Sequence, residues 1–162
     1  MKSTAPSMHA FKVEYLQPFI DSLHNLFVTH LSMTLEVGKP ILNQDGRPAF
    51  EYCGVIGFSG AVAGRAVVSF PAEVAIELVK AYLGMDEVPE EVITDCVGEL
   101  ANVIVGRAKS ALEQYQIAIT PPTVVFGSNF RLSDQSGATC ISIPCTSGIG
   151  PVQLEVSFHD AG

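Results

Sequence analysis

Between positions 95 and 107 the chain reads Asp95-Cys-Val-Gly98-Glu99-Leu-Ala-Asn102-Val-Ile-Val-Gly106-Arg107. Asp95, Glu99, Asn102 and Gly106 follow one another at spacings of four, three and four. Those spacings bring side chains onto one stripe of an α-helix. A carboxylate on such a stripe can pair with a cation on a partner. A carboxamide three residues later offers both a donor and an acceptor, so it can hold a water molecule in one orientation. An amide side chain does that job when it positions the attacking water in phosphoryl hydrolysis. A stripe of acids and amides is also what any solvated helix face looks like, so spacing alone does not decide. Val97, Leu100, Val103 and Ile104 lie opposite and are expected to supply the core. Gly98 and Gly106 each cost about 1 kcal/mol inside a helix. That cost predicts a close approach there, of a neighbouring helix or of a partner surface.

The helix carrying this stripe is predicted from Pro89 to about Tyr115, acidic in its first turn at Glu90 and Glu91, as the helix dipole favours. An earlier helix is expected over 14–31, where Leu16, Phe19, Ile20, Leu23, Leu26, Phe27 and Leu31 recur at helical spacing. Met33, Leu35 and Val37 alternate as in a short strand, and 43–48 is a turn-rich loop. Residues 52–70 read as a hairpin bent at Ser59-Gly60 and Gly64. A helix follows from Pro71 to Leu83 and is capped by Gly84. A strand over 117–126 is interrupted by Pro121-Pro122, and Thr139–Ile143 with Val152–Phe158 form a last hairpin across Cys145–Gly150. Helix, strand and hairpin therefore occur twice in the same order. Both second arms end alike, at Val68-Ser69-Phe70 and Val156-Ser157-Phe158. The expected fold class is α+β: a pseudo-two-fold repeat with an antiparallel-rich sheet and two long helices packed on one face. Residues 1–10 read as a flexible tail and 11–162 as a single domain.

Composition narrows the function. Nine Lys and Arg against seventeen Asp and Glu give a net charge of −8 and a pI near 4.8. Such an anion is repelled by phosphate backbones and anionic membranes, so neither nucleic acid nor membrane is an expected partner. Hydrophobic residues reach 48% and mean hydropathy is +0.33, yet no apolar run is long enough to span a bilayer. The apolar excess points to a dense core and a partner surface. The first ten residues lack the apolar core of a signal peptide, and Cys53, Cys96, Cys140 and Cys145 form no CxxC pair. Reduced thiols and a cytoplasmic location are the expectation. His9, His24, His30 and His159 have no metal-ligand spacing, so no metal and no bound cofactor is expected on this chain. Ser59 lies in no GxSxG elbow, and Gly60–Gly64 lacks the Lys-Ser/Thr of a phosphate-binding loop. Arg107 and Lys109 read as helix-surface charges beside the stripe.

The pattern Asp95-x3-Glu99-x2-Asn102 resembles the signature of the CheC/CheX/FliY family of chemotaxis phosphatases. The wider stretch Glu99-Leu-Ala-Asn102-Val-Ile-Val-Gly106-Arg-Ala-Lys109 is similar to the family's helix. So are Leu35-Glu-Val-Gly-Lys-Pro40, Gly54-Val-Ile-Gly-Phe-Ser-Gly60 and the 71–83 helix. The likeness runs from about Glu14 to Phe158. CheC proteins carry two such motifs and CheX proteins one. In the first helix, Asp21 in the Glu place puts His24 in the Asn place, whereas Asn25 in the Asn place puts Ser22 in the Glu place. Neither register preserves the acid-amide pair, so the resemblance is to CheX. Pro121 and Pro122 come a few residues sooner than the family pattern, a departure in the loop after the helix.

The resemblance implies a substrate that is itself a protein, a CheY-type response regulator phosphorylated on aspartate. The phosphoaspartate and a Mg2+ ion would come from that receiver. Asn102 would orient the attacking water and Glu99 would pair with the receiver's lysine. Asp95, Gly98 and Gly106 would belong to the partner-binding surface. The resemblance also implies a homodimer, and exposed hairpin edges that need covering give the same expectation. The rival reading is a non-catalytic module that binds a receiver or another signalling partner on the same scaffold.

Overall fold

The computed structural model describes residues 13–43, 46–128, 130–132 and 138–160. The expected tail, 1–10, lies outside the described residues. Helix α1 (Val13–Asn25) runs into a π-helical turn over Leu26–His30. Short strands β1 (Leu35–Val37) and β2 (Ile41–Leu42) follow, then the hairpin β3 (Tyr52–Ser59) and β4 (Val62–Phe70). Helix α2 (Ala72–Leu83) and helix α3 (Glu90–Ala111) come next. A 3-10 turn at Glu113–Tyr115 leads to β5 (Ala118–Ile119) and β6 (Thr123–Phe126). The hairpin β7 (Thr139–Ser147) and β8 (Gly150–Asp160) completes the described fold.

All pairings are antiparallel, in one eight-stranded sheet of order β1-β7-β8-β4-β3-β5, with β2 also on β7 and β6 also on β3. This order is the expected repeat made spatial. The short strands after α1 flank the second hairpin, and those after α3 flank the first. The seam is β4 against β8. Aligning Val68 with Val156 also aligns Ala66 with Leu154. The rungs Ala66–Val156 and Val68–Leu154 then exchange into each other, as a two-fold axis through the seam requires.

Among the described residues three helices pack against this sheet: the two long ones expected, α1 and α3, and the shorter α2, expected over 71–83. Alternate strand residues aim at them: Ile56, Phe58, Ala66, Val68, Phe70, Ile143, Leu154, Val156 and Phe158 are all buried in one apolar cluster with the helices. Under α1, the rings of Phe19, Phe58 and Phe158 stand 5.5–6.3 Å apart. Helix α3 sits close on the sheet because residue 54 is glycine. A Cβ there would lie 2.7 Å from that of Ala101. The sheet's other face carries Cys53, Ser69, Ser142, Glu155 and Ser157, also buried. The 130–132 segment crosses that face, and its Leu132 carbonyl accepts from the Arg65 guanidinium at 3.1 Å.

Three local features differ from expectation. The first helix widens into a π turn. Strand β2 appears where a loop entrance was expected, because Ile41 and Leu42 find partners on β7. The last hairpin continues through Cys145 to Ser147 and resumes at Gly150, so its turn is only Gly148-Ile149.

Candidate functional site

Helix α3 begins after Pro89, whose missing N–H costs nothing there, and carries Glu90 and Glu91 at its positive end. Its buried side is Ile93, Val97, Leu100, Ala101, Ile104, Val105 and Ala108; Val103, expected in the core, is half-buried. That packing fixes the helix rotation and turns Asp95, Glu99 and Asn102 outward, all three exposed. None of them has a hydrogen-bond or ion-pair partner among the described residues. An acid and an amide three residues apart therefore stand unpartnered in solvent on a rigid helix of 22 residues. The negative field of Glu99 reaches inward. Burial, and then the Glu99 charge, push the Cys96 thiol up to about 11. That thiol is protonated at neutral pH and is no nucleophile.

The two glycines part company. Gly98 is buried, and a Cβ on it would come within 3.2 Å of Val124 Cγ2 and 3.7 Å of Pro122. The close approach there is internal and made by strand β6, not by a helix or a partner surface, and Gly98 lies off the outward stripe. Gly106 is on the stripe, half-buried, with nothing within 4 Å of where a Cβ would be. Arg107 is not a free surface charge. Its guanidinium donates to Asn25 Oδ1 and lies 2.9 Å from His30 Nε2. The π turn makes this possible, since its wider winding brings His30 over Asn25. Sequence carried no signal for this contact, because a π turn has no spacing of its own to read.

Helix α1 is the counterpart of α3, and burial chooses its register. Phe19, Ser22, Leu23, Leu26 and Phe27 are buried, as are Val97, Leu100, Ala101, Ile104 and Val105. That match sets Gln17, Asp21 and His24, all exposed, in the places of Asp95, Glu99 and Asn102. The other register fails because Ser22 is buried and donates to the Ile104 carbonyl at 2.7 Å. In the chosen register Asp21 accepts from Gln17 Nε2 at 2.8 Å, and the amide place holds an imidazole. The acid-amide pair therefore exists on α3 and not on α1.

Among the described residues, no three His, Cys, Asp or Glu gather where they could hold a metal ion. No helix among them is long and apolar enough to cross a membrane.

Comparison with known proteins identifies the family. The profile of the family described as "Chemotaxis phosphatase CheX" matches residues 52–146, more than half of the chain, and includes the whole stripe. The CheY-P phosphatase CheX of Thermotoga maritima is 30% identical over 117 residues, which span 70% of this chain and 76% of that protein. A CheC-like superfamily protein from a Shewanella species superposes with a TM-score of 0.81 at 33% identity, covering 91% of this chain and 99% of its own. CheX from the CheX–CheY–BeF3–Mg complex of Borrelia burgdorferi has the same fold, with a TM-score of 0.75 at 19% identity over 92% of this chain and all of that one. With the family profile, the close relative and the outward acid-amide pair in agreement, the chain belongs to the CheX family of chemotaxis phosphatases.

Proposed function

We propose that this chain is a phosphatase for a CheY-type response regulator and removes the phosphoryl group from its phosphoaspartate. The observation that carries this reading is the pair Glu99 and Asn102, exposed, unpartnered and one turn apart on the outward face of α3. An acyl phosphate is already activated, so the helper need not supply a nucleophile. It needs to place water in line with the bond that breaks, and rigid placement is what a helix supplies.

In this reading the Asn102 amide enters the receiver's site and holds a water molecule, donating through its NH2 or accepting through its carbonyl. The water oxygen bonds to phosphorus as the bond from phosphorus to the aspartyl oxygen breaks. The aspartate leaves as carboxylate, and both of the water's protons end on inorganic phosphate, released as dihydrogen phosphate. The Glu99 carboxylate pairs with a lysine of the receiver and fixes the register of docking. Exposed ion pairs contribute only about 0.2–1 kcal/mol, but the same pair strengthens once docking expels water. Asp95, one turn before Glu99, adds negative charge to the same surface. The Mg2+ ion that neutralises phosphoryl charge in such a step is expected on the receiver.

The test is the decay of radiolabelled phosphoreceivers from the same organism, with this chain at a tenth of their concentration. Faster decay of at least one receiver, through several turnovers, is expected. Saturable binding to a phosphoreceiver without faster decay would favour the non-catalytic reading instead.

A further inference from the structure

Most of the described glycines have a visible reason to be glycine. Gly46, Gly60, Gly84, Gly127 and Gly150 have φ between +67° and +153°, which side chains disfavour. Gly38, Gly54, Gly64 and Gly98 would each put a Cβ closer than 3.4 Å to another part of the chain, whereas Gly57 and Gly148, outside any helix, would meet only ordinary contacts. Gly106 has neither reason. It lies inside α3 with an ordinary helical backbone, and open space surrounds its missing side chain. Its carbonyl is held by Ser110 Oγ at 3.3 Å, so the helix is locally closed. Glycine loosens a helix that alanine would strengthen, and no contact among the described residues offsets that.

The position of the gap says what it is for. Gly106 is one turn beyond Asn102 on the outward stripe, and it opens on a groove lined by Lys109, Ser110, Glu113, Ile117 and Ile119. We propose that Gly106 is a specificity-determining residue of the Glu99–Asn102 face. Its bare backbone leaves the space into which the main chain of the docked phosphoreceiver settles. This rests on the phosphatase reading and deepens it. A methyl group at 106 would hold the partner off the helix. Asn102, one turn away, would then present its water short of the phosphorus. The inference separates stability from activity, because the same substitution improves the helix and spoils the docking.

The test uses the full chain and its Gly106→Ala and Gly106→Leu variants, with melting temperature, steady-state dephosphorylation and binding to a beryllofluoride-loaded receiver as readouts. Gly106→Ala is expected to raise Tm by roughly 2–4 °C. It should also lower kcat/KM roughly tenfold or more, with weaker binding, and Gly106→Leu should lose more. An alanine variant with wild-type kcat/KM overturns the inference alone. Activity and Tm falling together in that variant would also overturn it, since Gly106 would then be serving the fold. A wild-type protein that neither binds nor dephosphorylates any receiver overturns the phosphatase reading and this inference with it.

Discussion

Glu99 stands in water in the free chain, so its charge contributes little to stability and is free to be used on a partner. Replacing it should therefore leave the melting temperature nearly unchanged while altering docking. Glu99→Ala is expected to weaken receiver binding, and Glu99→Lys to weaken it further by setting cation against cation. The wild-type affinity should fall with added salt more steeply than that of Glu99→Ala. Titration calorimetry at two ionic strengths reads this directly; equal affinities for all three proteins would remove Glu99 from the interface. At this scale much was legible in sequence, because helical spacing is rigid and Asp95, Glu99, Asn102 and Gly106 can be placed on one stripe by counting. Gly98 was not. Its neighbours, Pro122 and Val124, reach it through the pairing of β6 with β3, which residue spacing does not encode.

At the scale of elements, α1 and α3 are two copies of one part, and only one keeps the acid-amide pair. His24 occupies the amide's place on α1, and Asp21 is already bonded to Gln17. The double variant Asp21→Ala with His24→Ala is expected to dephosphorylate a receiver at close to the wild-type rate. A loss as large as that from a change at Asn102, in a folded protein, would mean that both helices act. The order of elements was readable from periodicity and from Gly and Pro punctuation. The π turn, strand β2 and the added length of the last hairpin were not. The π turn has no spacing of its own to read, β2 forms on a partner about a hundred residues away, and the hairpin's added rungs include Pro144, which spacing marks as a strand end. Likewise the repeat was visible as an order of elements, but the choice between the two α1 registers needed the burial of Ser22 and its bond to Ile104.

For the whole molecule, the β1–β2 edge exposes Val37, Ile41 and Leu42 beside unpaired backbone, the kind of surface that a second copy covers. Light scattering at micromolar concentration is expected to give twice 17.2 kDa; the monomer mass would contradict this. The thiols set a limit at high pH. Burial, then Glu155 and Glu51, push Cys53 from its ordinary 9.0 up to about 12. Burial also raises Cys145 to about 11, although the Gly38 N–H opposes it. A raised folded pKa keeps its stabilising contribution below the unfolded value. That contribution is lost as pH climbs from 9.0 through the folded values, because the unfolded chain ionises first. The melting temperature should therefore fall from about pH 9 upward. The fall should be shallower in Cys53→Ala, and identical slopes would contradict this account.

The most direct measurement compares catalytic amounts of wild-type protein and Asn102→Ala in the decay of one cognate phosphoreceiver. Asn102 is exposed and has no partner among the described residues, so its replacement should shift stability by no more than about 0.5 kcal/mol. The account predicts multiple turnovers by the wild type, a rate reduced by roughly a hundredfold or more in the variant, and superimposable melting curves. Equal rates from the two proteins would contradict it.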